Sequence, residues 1–156
     1  MQTQHFVFFN QYYTPELAPT GVMLRAVAEE MVAQGNRVTI ICSKGGYSGG
    51  SGENLSNQEG VRVIRVPSFR FGRTSSLGKL CDYLSYYFFA FCFGLAVGGK
   101  SSRFVALTTP PYLSVLVRIV SKLRRGTHAH WVMDLYPDVM IAHGLLKEEG
   151  LKAKLL

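Results

Sequence analysis

Two short stretches hold the residues best suited by type and spacing to do chemistry. The first, NQYYTPELAPTG (residues 10–21), breaks off an apolar run and ends in a glycine where a helix-like pattern begins. A glycine there lets a ligand approach the exposed N–H groups of a helix's first turn, an anion or sugar-hydroxyl site in embryo, although the same glycine also suits a tight turn. The second, DLYPD, sets Asp134 at the end of an apolar strand and Asp138 just before VMIAHGLL, where it could equally serve as an N-cap. His128 and His130 alternate within a strand and read as structural, and His143 has no visible partner.

Several chemistries lack their residues. The dinucleotide fingerprint GxGxxG should follow the first strand, but that loop holds a single glycine, Gly21, so a nicotinamide enzyme is not expected. No HExxH is present, no lysine is read as a Walker A lysine and no serine as a GxSxG elbow nucleophile, and no Asp-x-Asp pattern suggests an essential metal.

The elements that must position these residues follow from periodicity. HFVFF (5–9) is a continuous apolar run, as a strand covered on both faces requires. From Val22 to Gln34 the pattern is helical, with Met23, Val27 and Met31 as the expected inward stripe and Gly35 as its stop. RVTIICS (37–43) and VRVIRV (61–66) read as strands, the second near the sheet edge with its arginines on one solvated face. The glycine-rich stretch 44–60 between them reads as a loop. A helix is expected over Leu77–Gly98, a strand over 103–108, a helix after Pro110 and Pro111, and a fifth strand over 127–134. Strands alternating with helices in 156 residues imply an α/β fold: a Rossmann-like, doubly wound parallel sheet with helices on both faces. Ligands then bind beyond the carboxyl ends of the strands, which is where both stretches fall.

Charge and cysteines narrow the setting. The net charge of +7 is concentrated in residues 61–125, which hold eleven Lys/Arg and one acid, so an anionic partner would meet that region first. Arg70, Arg73 and Lys79 precede an apolar, tyrosine-rich helix candidate, a combination suited to an anionic membrane surface; packing of that helix on the sheet is the alternative. No nucleic-acid reader pattern accompanies the charge, so no nucleic acid is expected. Cys42, Cys81 and Cys92 lie in apolar runs without metal-site spacing and read as reduced, buried thiols of a cytoplasmic protein.

The segment FFNQYYTPELAPTGVMLRAVAEEMVAQGNRVTIIC, together with TTPPYLSVLV and HWVMDLYPDVMIAHGLLK, resembles the N-terminal domain of GT-B glycosyltransferases of the family 4 type, similar to those of colanic-acid and O-antigen biosynthesis. The resemblance spans most of residues 6–147 and rests on the order and spacing of its parts. It implies one half of a GT-B fold: residues 1–156 as the acceptor-binding domain, with the C-terminal nucleotide-sugar-binding domain absent from the chain. The full-length protein would be a retaining enzyme transferring a sugar from a nucleotide-sugar donor to a lipid-linked or polysaccharide acceptor in cell-surface glycan synthesis.

By the same resemblance, Gly21 is the donor phosphate-side backbone contact, and Tyr13, Thr14, Pro15 and Asp138 are acceptor-binding residues. Asp134 is the candidate catalytic, sugar-side carboxylate, at a position where many members of the family have histidine. The family's glutamate pair, seven residues apart, has no counterpart, since Glu148 and Glu149 are adjacent. The domain alone is therefore expected to bind no cofactor and to be inactive, with the donor domain and the acceptor as its partners. The expected location is cytoplasmic, peripheral at the inner face of the plasma membrane. The alternative reading is a stand-alone, non-catalytic subunit that recruits a donor-binding partner to the membrane.

Overall fold

The computed structural model describes residues 3–44, 57–58, 60–69 and 76–133. In chain order the elements are β1 (His5–Phe9), α1 (Pro19–Ala33), β2 (Arg37–Ser43), β3 (Asn57–Gln58), β4 (Val61–Val66), α2 (Ser76–Val97), β5 (Ser102–Ala106), α3 (Leu113–Leu123) and β6 (Thr127–His130). They form one sheet in the order β3-β4-β2-β1-β5-β6. Five strands are parallel, and β3 adds a two-residue antiparallel edge beside β4. This is a Rossmann-like α/β fold, as the alternating pattern requires.

The topology creates one special place. The chain walks outward from β1 to β2 and β4, then returns to lay β5 on the opposite side of β1. Strand order reverses between β1 and β5, so the chain leaving those two strands turns to opposite faces, to α1 on one and α3 on the other. It is at such a switch point that open α/β sheets bind ligands in a crevice at the carboxyl edge.

Both faces of the sheet carry a core. On one, Val7, Phe9, Ile41, Val66, Phe104 and Ala106 pack with Tyr86 and Ala90 of α2 and Leu113, Val117 and Val120 of α3. On the other, Phe8, Val38, Ile40, Cys42, Val63 and Val105 pack with Leu24 and Ala28 of α1 and with Tyr13. Phe8 and Phe9 point to opposite faces, which is why the strand sequence is apolar without alternation.

Four expectations change in detail. The inward stripe of α1 is Gly21, Leu24 and Ala28, while Met23 and Val27 are exposed. At Gly21 the missing side chain lets the start of the helix lie against the loop after β1, and Leu24 and Ala28 pack on the sheet. Arg62 and Arg65 stand three apart and therefore face opposite sides of β4: Arg62 is exposed, and Arg65 folds back toward Cys42 and the Thr14 carbonyl. Of the cysteines, only Cys42 is buried, whereas Cys81 and Cys92 lie exposed on α2. The glycine-rich stretch contributes strand β3 to the sheet edge.

Helix α2 packs one face on the sheet and leaves the other exposed. Tyr86 is fully buried, its hydroxyl donating to the Ile41 carbonyl at 3.0 Å, and Tyr87 donates to the Pro111 carbonyl. Outward, Leu77, Leu80, Leu84 and Phe88 are exposed at helical spacing. The segment Leu80–Val97 is long and apolar enough to cross a membrane by length and composition, yet its inner face packs on the sheet.

Candidate functional site

Backbone hydrogen bonds knit the crevice from the strand ends upward. The Asn10 N–H donates to the Ile41 carbonyl at 3.2 Å, and the Ser43 N–H donates to the Gln11 carbonyl at 2.9 Å, so the loop after β1 continues the β2 ladder. On its other side the Gln11 N–H donates to the Thr109 carbonyl at 3.0 Å. Gln11 thus joins the two loops that flank the switch point. Both loops also hold a cis peptide, Thr14-Pro15 and Thr109-Pro110.

Side chains above this frame are buried and polar. Asn10 donates through Nδ2 to the Tyr12 carbonyl at 2.6 Å and to Thr20 Oγ1 at 3.2 Å, tying the loop to the start of α1. Its Oδ1 has no partner, nor do Gln11 Oε1, Thr108 Oγ1, Arg65 Nε and the Tyr13 hydroxyl. These five atoms are the buried side-chain N and O atoms without a hydrogen bond among the described residues, and all of them lie at the carboxyl edge of β1, β4 and β5. An unpaired buried polar atom costs about 1–3 kcal/mol, so their concentration at one edge of the sheet makes that edge the candidate site.

The electrostatics are those of a binding site more than of a nucleophile. Burial pushes the Cys42 thiol up to about 12, with Arg65 pulling it down and Glu16 pushing it further up. A thiol held that high does not attack at neutral pH. Tyr13 is likewise raised to about 12, chiefly by burial, with the Thr14 side chain beside it lowering the value; its hydroxyl nevertheless makes no bond of proper hydrogen-bond geometry. Glu16, a carboxylate in the loop after β1, is buried.

The residues expected from sequence sort as follows. Tyr13 and Thr14 are buried, Tyr13 completely, so Tyr13 is a packed lid over the core whose side chain does not reach outward. Pro15 is exposed beside them. Gly21 is buried in the first turn of α1 and its N–H donates to the Ala18 carbonyl at 2.9 Å. A Cβ at Gly21 would stand 3.1 Å from the Tyr12 carbonyl oxygen and 3.2 Å from Tyr13 Cα, so what its missing side chain admits is the protein's own loop. Asp134, Asp138, Arg70 and Arg73 lie outside the described residues, as does the side chain of Lys79.

Two things escaped the sequence reading. Asn10 and Gln11 carry the unpaired acceptors, and the available signal was their place: polar residues directly after an apolar parallel strand stand at the carboxyl edge. Separately, Gly94–Ser101 (GLAVGGKS) spells the P-loop pattern GxxxxGK[ST], contrary to the expectation that no lysine qualifies. The structure removes its meaning. The pattern starts inside α2 and runs into β5, whereas a phosphate cradle needs a strand entering a helix, with the helix's first N–H groups facing the ligand.

No family model matches the chain, and no curated protein or solved structure matches it. Among the described residues no group of three or more His, Cys, Asp or Glu could hold a metal ion.

Proposed function

We propose that this chain is the acceptor-side domain of a retaining, GT-B type glycosyltransferase that uses a nucleotide-sugar donor and a lipid-linked or polysaccharide acceptor. The observation that carries the reading is the set of unpaired buried polar atoms at the switch point. Asn10 Oδ1 and Gln11 Oε1 accept, Arg65 Nε donates, and Thr108 can do either. A ligand dense in hydroxyl groups answers such a mixed set, because each hydroxyl both donates and accepts.

In this account the Gln11 and Thr109 loops hold the acceptor and the donor is held by a second domain. Asp134, directly following the segment that continues β6, supplies a carboxylate near the transferred sugar, where it offsets positive charge developing at the anomeric carbon. Asp138 and Pro15 contribute to the acceptor side, and Gly21 shapes the loop on the donor phosphate side.

Labelled-sugar transfer to lipid-linked acceptors tests the proposal. Transfer by the product of the full coding region, with none by residues 1–156 alone, is the expected result. Activity of residues 1–156 alone, or no transfer by the full product from any nucleotide sugar, contradicts it.

A second reading has its own support in the exposed apolar row of α2: a non-catalytic subunit recruiting a donor-binding partner to a cytoplasmic membrane face. It is distinguished by transfer that requires a separate polypeptide.

A further inference from the structure

The opposite, amino-terminal edge of the sheet holds a cavity of about 630 Å³, a size that accommodates a small phosphorylated molecule. It lies where α2 hands over to β5 and where α3 ends, far along the strands from the crevice. Arg37, Lys100 and Arg124 line it, and none of the described residues lining it is acidic.

At its floor His5 is buried with both ring nitrogens engaged, Nδ1 with Ser102 Oγ at 3.1 Å and Nε2 with Thr39 Oγ1 at 3.0 Å. Its pKa is lowered, first by burial and then by the charges of Arg37 and Arg62, which reports a positive field reaching the cavity.

A competing role for these cations is to neutralise the ends of α2 and α3. Arg124 does this in part, donating from Nε to the Gly98 carbonyl at 2.6 Å. Magnitudes decide between the roles: each helix end carries roughly half a negative charge, so two ends offset about one cation of the three. An excess of about two positive charges is left facing the cavity. Arg37 and Lys100 form no ion pair with any described residue.

We infer that this amino-edge cavity binds a phosphate group, clamped by the side chains of Arg37, Lys100 and Arg124. The guanidinium groups suit two-point contact with phosphate oxygens, and Lys100 acts as a point charge. The grip is by side chains and not by a backbone cradle, since the turn here follows a helix end. Phosphate could arrive free, as on a soluble metabolite, or as a lipid headgroup at the end of α2.

The test is titration of the whole chain with inorganic pyrophosphate, followed by amide NMR, alongside flotation with phosphatidic acid vesicles. The expected result is shifts at Gly98–Ser102 and Arg37, with affinity falling roughly tenfold or more in Arg37→Gln/Lys100→Gln. An Arg118→Gln control, on α3 and outside the cavity lining, should change it little. Vesicle binding that the double variant loses, without pyrophosphate binding, supports the site with lipid as its source. Shifts confined to other regions, or equal binding of both probes by the double variant, overturn it.

Discussion

The N–H of Gln11 donates to the carbonyl of Thr109 at 3.0 Å, binding the loop after β1 to the loop after β5 across the point where strand order reverses. With the Leu107 N–H donating to the Phe9 carbonyl at 3.0 Å just before it, that bond holds the two loops in register, and unpaired Gln11 Oε1 and Thr108 Oγ1 lie at or next to its two ends.

Asn10 should be the side chain on which this wall most depends. Asn10→Ala removes the bonds to the Tyr12 carbonyl and Thr20 Oγ1 that tie the loop to the start of α1. A loss of about 1–3 kcal/mol in urea unfolding is expected, together with loss of acceptor binding. Thr20→Val probes the lesser of the two bonds and should cost about 1 kcal/mol or less.

Gly98 is expected to be intolerant of a side chain for a packing reason. An added Cβ would fall well inside contact with the ring of Phe104, which is fully buried and also lies close to Gly126. Gly98→Ala should therefore destabilise by about 1–3 kcal/mol. Combining it with Phe104→Leu should cost less than the sum of the single changes, and a double-mutant cycle by chemical denaturation measures that coupling.

Much of this fold was legible because apolar runs and periodicity report burial directly. HFVFF, RVTIICS and VRVIRV became β1, β2 and β4 with the expected bounds. Periodicity was less able to choose between neighbouring helix faces. In α1, Met23 and Val27 look like core by hydrophobicity, but close packing on the loop after β1 and on the sheet favours Gly21 and Ala28, and hydrophobicity scales do not see that. In the loop after β1, aromatic and proline residues drew the sequence assignment. Tyr13 proved to be core, and the loop's unpaired amide oxygens sit on Asn10 and Gln11, both buried.

The pH dependence of stability follows from His5. Its folded pKa is depressed below the ordinary 6.5 by burial and by Arg37 and Arg62. The neutral ring is thus the form the fold favours, and its contribution is complete above the unfolded pKa. It is lost as pH falls from about 6.5 through the depressed folded value. His128 is shifted the same way, by burial and by Arg118 and His130, and adds to the trend. Melting temperature should decline on acidification from pH 7 to pH 5, and His5→Gln should flatten that slope while lowering stability at pH 7.

The outer row of α2 should govern membrane association and leave the fold untouched. Leu84 and Phe88 are exposed, so Leu84→Ser/Phe88→Ser should change stability by only about 0.5 kcal/mol per site. Co-flotation with anionic vesicles at low salt is expected for the unaltered chain and should be lost in the double variant. Equal flotation of both would remove α2 from any membrane role.

The central claim is that the crevice between the β1 and β5 loops receives a sugar acceptor. Amide chemical-shift mapping during titration with an oligosaccharide acceptor panel tests it most directly. Perturbations centred on residues 10–18 and 107–112, abolished by Asn10→Ala, are the result this account requires. Saturating glycan that leaves those amides unmoved, or that shifts only residues elsewhere in the chain, would contradict it.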